Sequence, residues 1–463
     1  MKAQPVFALA IALISLGIMA RHVAQPPMMM ADFRAFACTG SAVLHHVDPY
    51  SNVWLAACEA PAVPPPLYRM GHGGILPAPL PGYLVALFLP FAAVPLAWAA
   101  ISWGLLLCLA IAFAIMYLER LELGSRWTLL VVLAIPLVAV CVPLGELPPI
   151  ALAGVALLAW AVKERRYWAA GAGLALTMAE PSVGLCVALA VCALSRRYCV
   201  TVGATLLILL GISVATVGLG PNLEYVRSVL PAHIYAELPS AQQFSLSWVF
   251  DRFGTSAPVA LFSGKLWYVL MLVLSVAVAR ARASTTPEFG VLAAAAFAVL
   301  LGPYMHLAQI GLAVPAALWL AARAERPPVA LVAAAVALAV PLLPVIGTLT
   351  LIVVAVPVAA WVAAACSRRP DIGLRAAAVT TLAVALAAYT VAKTEREPLV
   401  VAASPTLDRA QYVRRNNVAS GWSIWLLKLP SWYATITVAG LGAASSFRKV
   451  RVRRSDSDPV TAQ

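Results

Sequence analysis

The stretch Met30-Ala31-Asp32-Phe33-Arg34-Ala35-Phe36, with Asp48-Pro49-Tyr50 behind it and the return Leu76-Pro77-Ala78-Pro79-Leu80-Pro81, decides how this chain is read. It separates two uncharged apolar runs, 6–20 and 83–118. A charge inside a bilayer is costly, so a chain of this kind holds water and chemistry in such breaks. Residues 21–81 therefore read as a first outer loop, following a retained first span whose N-terminus lies inside. Met1-Lys2 and the apolar run behind it imitate a signal peptide, but no small-x-small cleavage site precedes Arg21.

Working outward, 62% of the residues are hydrophobic and only 11% charged, with a mean hydropathy of +0.90. That balance excludes an ordinary soluble domain. Apolar runs of roughly 15 to 22 residues recur from end to end, the length a bilayer core demands of a helix. Solid Leu/Ala/Val blocks argue against a transmembrane barrel, which alternates apolar and polar positions. The expected fold is an all-α polytopic membrane protein. The net charge of +13 is spread as short Lys/Arg clusters between apolar segments, as cytoplasmic loops require, and so argues against a nucleic-acid partner.

The clusters also set the topology. The block 83–118 breaks near Pro95, and its first part reads as a short or re-entrant helix. That places the charged loop with Glu119, Arg120, Glu122 and Arg126 inside. The segment 168–194 is too short for two ordinary spans and has basic residues on both flanks. It reads as a helical hairpin with its apex at Glu180-Pro181, where proline's missing donor costs nothing. Further outer segments are 221–254 and 393–422. Residues 1–446 form one integral-membrane unit, and 447–463 a basic cytoplasmic tail expected to be disordered. Eight cysteines lie mostly within spans as packing residues. Cys38 and Cys58 share the first outer loop, where a disulfide and two free thiols are both open.

On this topology the outer side collects the ionisable groups, and each has a plain structural reading beside a functional one. Asp32 is either the N-cap of an interfacial helix or a base. Asp48-Pro49-Tyr50 makes an ordinary turn. His306, at a helix start, caps or donates a hydrogen bond.

These anchors, in their order, resemble membrane glycosyltransferases of the GT-C architecture, and within them glycosyltransferase family 87, which uses polyprenyl-phosphate-mannose. The residues that carry the resemblance are Asp32, Asp48-Pro49-Tyr50, Gly145-Glu146, Glu180-Pro181 and Gly302-Pro303-Tyr304-Met305-His306. It implies a GT-C-like bundle of about 11 or 12 spans with short extracytoplasmic juxtamembrane helices. Its implied activity is transfer of a sugar, mannose first, from a polyprenyl-phosphate donor to a glycolipid or glycan acceptor, by single displacement with inversion. The implied setting is a bacterial plasma membrane, with the site on the extracytoplasmic side and lipid in a groove between spans. Asp32 would be the base and His306 the second catalytic group. Arg34, Asp48, Tyr50, Arg69, Glu146, Glu180, Arg227, Lys265 and Tyr304 would bind substrate, the cations holding the lipid phosphate. The chain departs from the family pattern in three places: Glu146 replaces a glutamine, Glu180 replaces a lysine, and the proline-rich return lacks a tyrosine.

The first outer loop has no Asp-x-Asp pair and the chain no Walker loop or dinucleotide fingerprint, so neither a metal nor another cofactor is expected. Three rivals stand against this reading. A lipid or lipid-linked-sugar transporter would need charged broken helices at the midplane of two matching halves, and only Glu180-Pro181 fits. A polymerase or ligase for pyrophosphate-linked glycans would need a longer outer loop rich in Arg and His. A non-catalytic scaffold is the third.

Overall fold

The computed structural model describes residues 30–59, 78–340 apart from 241, 303 and 326, and 423–455, with a few isolated positions elsewhere. Arg69, Pro303, the first span, the segment 393–422 and the end of the tail lie outside the described residues. What is described is helical, as expected, and its one β-pairing is an isolated bridge between Gln243 and His306.

In chain order the helices are α1 (Ala31–Leu44), α2 (Asn52–Glu59), α3 (Gly82–Ala92), α4 (Leu96–Arg120) and α5 (Arg126–Leu144). They continue with α6 (Pro148–Lys163), α7 (Tyr167–Thr177), α8 (Pro181–Leu194), α9 (Arg196–Val217) and α10 (219–237). Next come α11 (Leu246–Arg252), α12 (Ala257–Arg282), α13 (Pro287–Val299), α14 (Leu307–Arg323), α15 (Val329–Ala339) and α16 (Ser423–Ser455).

Among the described residues α4, α5, α9 and α12 are long and apolar enough to cross a membrane. Three of these expose apolar side chains outward: Trp98, Leu105 and Leu109 on α4, Leu207 and Ile208 on α9, Phe262 and Leu266 on α12. Such faces suit lipid contact. By contrast α13 is buried along its whole length and α6 along nearly all of it. The 11 residues of α3 span only about 16 Å, which makes it the short helix expected ahead of the Pro95 break. Pro181 opens α8 with Glu180 as its N-cap, which places the hairpin apex where the charges put it. The basic stretch 447–455, expected as loose tail, instead continues α16 as helix, in keeping with the good helix propensity of Lys and Arg.

Water offers helices in lipid no hydrophobic drive toward each other, so close backbone approach does the work. The α6–α7 contact shows it. A Cβ on Gly154 would come within 2.3 Å of the Thr177 nitrogen, and one on Gly173 within 2.7 Å of the Leu158 nitrogen. The next helix pair needs a break instead. Pro136 has no N–H to donate, and the α5 ladder widens to π-helical bonding over Ala134–Cys141. The helix then closes on Gly145 at φ 78°, whose N–H donates to the Cys141 carbonyl at 2.8 Å.

At that end of the bundle the first outer loop is tied down. Cys38 and Cys58 are disulfide-bonded, joining α1 to α2. The Tyr50 hydroxyl donates to the Leu80 carbonyl at 2.7 Å, and that of Tyr225 to the Pro79 carbonyl at 3.3 Å. Two tyrosines thus hold the proline-rich return against α10.

Candidate active site

Three helix turns and the start of α1 converge on one cavity of about 530 Å³. Asp32 comes from the first turn of α1, Glu146 from the α5–α6 turn, Glu180 from the α7–α8 turn, and Tyr304 and His306 from the loop before α14. Glu237 and His233 on α10 and Gln309 on α14 complete its polar lining. These groups lie up to hundreds of residues apart in the chain and meet only through tertiary packing.

The closest pairing joins Asp32 to Glu146. The Met30 N–H donates to the Pro143 carbonyl at 2.8 Å, which pins the start of α1 to the end of α5. A Cβ on Gly145 would lie 2.5 Å from Phe33 Cβ, so only glycine lets the two backbones meet this closely. Trp103 Nε1 donates to the Gly145 carbonyl at 3.0 Å, and its ring stacks on Phe33 at 5.6 Å. Asp32 and Glu146 are hydrogen-bonded to each other. Burial pushes the Asp32 carboxyl up to about 6, and the hydrogen bond from Glu146 pulls the other way. Glu146 is held well above the ordinary carboxyl range by burial, then by the charges of Asp32 and Glu180 and by its own hydrogen bond to Asp32. Two acids this close share protons, and the directions of the two shifts favour the proton on Glu146 over Asp32.

Glu180 has a different companion. Gln309 Nε2 donates to Glu180 Oε2, and Gln309 Oε1 accepts from the His306 backbone N–H at 2.9 Å. Burial lifts Glu180 to about 7 against the opposing effect of that amide. The His306 loop is anchored from the other side by the segment after α10. The Phe244 N–H donates to the Met305 carbonyl at 2.6 Å, and Gln243 Oε1 accepts from the Met305 N–H at 3.2 Å. Burial, then His233 and Lys428, drive the His306 imidazole down to about 3, so it is neutral at physiological pH. Its Nε2 is buried with no partner in the described structure, while its ring packs against Tyr304 at 4.7 Å.

The sequence expectations divide cleanly by position. Asp32, Glu146, Glu180, Tyr304 and His306 line the cavity together. Asp48 and Tyr50 do not: the Asp48 carboxylate accepts from the Tyr50 N–H at 3.0 Å as a turn, and the Tyr50 hydroxyl is committed to Leu80. Arg34 is buried on the far side of α1, in the field of Glu59 rather than at the cavity wall. Arg227 and Lys265 are exposed on α10 and α12, away from it. The described lining contains no Lys or Arg. Among the described residues no cluster of three or more His, Cys, Asp or Glu could hold a metal ion.

Sequence reasoning passed over Gln309, although Gln three residues after a helix N-cap is a recognisable pattern. It also passed over Lys428, a lone cation in the apolar first part of α16 and therefore worth notice. Lys428 is buried behind the site, donates to the Gln243 carbonyl, and lies 4.1 Å from the Trp248 ring and 4.5 Å from that of Phe244.

Alongside the carboxyl cavity runs an apolar groove of about 460 Å³ between α3, α4, α6, α7 and α9. Leu84 and Ala179 line both, so the groove adjoins the cavity. The family model of glycosyltransferase family 87 matches residues 81–303. The chain is similar to that family over this segment, just under half of its length. It is therefore a membrane glycosyltransferase of the GT-C type. The matched segment of the transferase supplies Glu146, Glu180, Glu237 and the groove, while Asp32 and His306 join the cavity from either side of it. No curated protein and no solved structure matches the transferase.

Proposed function

We propose that the transferase moves a sugar, mannose first among candidates, from a polyprenyl-phosphate donor to a hydroxyl of a glycolipid or glycan. The observation that carries this reading is the carboxyl cavity adjoining an apolar groove at Leu84 and Ala179. An isoprenoid chain would lie in the groove and bring the sugar–phosphate bond to the carboxyls. Asp32 acts as general base, taking the proton of the attacking hydroxyl. The sugar–phosphate bond breaks with its electron pair going to the phosphate, and attack from the opposite face inverts the anomeric centre. Neutral His306 and Tyr304 orient the sugar or the departing phosphate by hydrogen bonds. Four carboxyls in the described lining favour a neutral, hydroxyl-rich acceptor over an acidic one. Arg69 is kept on sequence grounds as a cation for the phosphate.

An extracytoplasmic site in a bacterial plasma membrane fits two observations. The helix ends opposite the cavity carry Lys163, Arg196, Arg282 and Arg323, as the inner face of a membrane protein should. The disulfide between Cys38 and Cys58 belongs to an oxidising compartment.

The test is transfer by purified protein from a panel of polyprenyl-phosphate sugars to a membrane lipid extract. Product from one lipid-linked donor, and none from nucleotide sugars, is the expected result. Product from a nucleotide sugar alone would refute the donor class.

A further inference from the structure

The contact between α1 and the α5–α6 turn places a second acid against the proposed base and builds it in rigidly. Gly145 admits Phe33 at a distance no other residue allows, Met30 is bonded to Pro143, and Trp103 braces the Gly145 carbonyl. Glu146 follows Gly145 as Asp32 precedes Phe33, so the two carboxyls are forced together at the cavity wall. We propose that Glu146 is a positioning residue whose protonated carboxyl donates a hydrogen bond to Asp32, keeping that base ionised and aimed into the cavity.

This rests on the glycosyl-transfer reading for its catalytic consequence, but not for its chemistry. Before reaction the pair holds one proton, on Glu146. The attacking hydroxyl passes its proton to the Asp32 oxygen that Glu146 does not engage, while the phosphate leaves with the electrons of the broken bond. Asp32 then releases that proton to water, and Glu146 keeps its own throughout. The groups facing the pair are Glu59 on α2, Cys141 on α5, Glu180 at the α7–α8 turn, and Tyr304 and His306 before α14, with Arg34 set on the far side of α1 against Glu59. His233 and Glu237 face the pair from α10. The carboxyls of Glu59, Glu180 and Glu237 dominate the charge around the pair, so a proton on Glu146 offsets it locally.

The direct test is infrared titration of the purified full chain in detergent, following the C=O stretch of protonated carboxyls in wild type, E146Q and D32N. The wild type should show a protonated-carboxyl band persisting above neutral pH. E146Q should lose that band, and D32N should titrate it at lower pH because the facing carboxylate is gone. A band unchanged in E146Q, or a midpoint unmoved in D32N, would overturn the proposal. A second arm uses polyprenyl-phosphate-mannose and membrane lipid extract to record kcat/KM against pH. E146Q, with an amide that donates but never ionises, should lose the alkaline limb that wild type shows when Glu146 gives up its proton. E146L, with no donor, should lose about tenfold or more at neutral pH and move its acid limb upward. An alkaline limb retained in E146Q would also overturn the proposal. If wild type transfers nothing, the donor assignment fails, while the infrared result still decides the proton's position.

Discussion

Asp32 and Glu180 face the same cavity, Asp32 half-buried and Glu180 buried, both lifted above the usual carboxyl range, yet they are held by different chemistry. Glu180 receives its hydrogen bond from the Gln309 amide, a donor that cannot ionise. Asp32 receives its own from Glu146, a donor that can. The Gln309 amide is also bonded to the His306 N–H, so Glu180 sits in a braced network whose job is to hold a loop. Among the described residues Asp32 and its partner make no such further bond, which leaves an Asp32 oxygen facing the cavity. A buried acid with an amide companion is built for structure, and one with an acid companion is built for moving protons.

Substitution should separate the two. Asp32→Asn is expected to lower transfer by about 10²–10⁴-fold, the usual contribution of a general base, with the melting temperature in detergent unchanged. Glu180→Gln should lower it far less, and equal losses in the two variants would erase the distinction. Opening the Cys38–Cys58 disulfide by Cys38→Ser should cost about 2–4 kcal/mol of stability, seen as a lower melting temperature. Because α2 carries Glu59 near Asp32 and Arg34, activity should fall with it. Gln309→Leu should cost about 1–3 kcal/mol, by leaving Glu180 and the His306 N–H without partners, and should leave the acid limb of the rate profile where it is.

Stability against pH sharpens the same comparison. Glu59 and Glu180 have folded values raised to about 7, so the folded state binds more protons and stability falls as pH rises toward that value. His306, depressed to about 3, acts oppositely below its ordinary value, where the unfolded chain takes up the proton. The melting temperature should therefore decline from about pH 6.5 to pH 8, and decline less in Glu180→Gln. The smallest effect is expected from Tyr50→Phe, about 1 kcal/mol for its bond to Leu80, without change in the rate profile.

Much of this architecture was legible before any coordinates. Apolar run lengths and basic clusters locate the helices, the break at Pro95 and the hairpin apex at Glu180-Pro181, because bilayer thickness and charge desolvation act on local sequence. Five of the site candidates also reach the cavity, since carboxyls and imidazoles at one set of helix ends have few other places to go. The pairing of Asp32 with Glu146 was not legible. It depends on Gly145 meeting Phe33, 112 positions away in the chain, a contact that no local pattern encodes. Arg34, Arg227 and Lys265 misled for a related reason: sequence places a charge near a membrane face, but helix rotation decides whether it points inward.

The most direct test of Asp32 as the base is the pH dependence of kcat/KM for the wild-type transferase, which reports ionisation in the free enzyme. The account predicts an acid limb with its midpoint near the Asp32 value of about 6. A midpoint in the ordinary carboxylate range near 4, or one that moves in Glu180→Gln as far as in E146L, would contradict it.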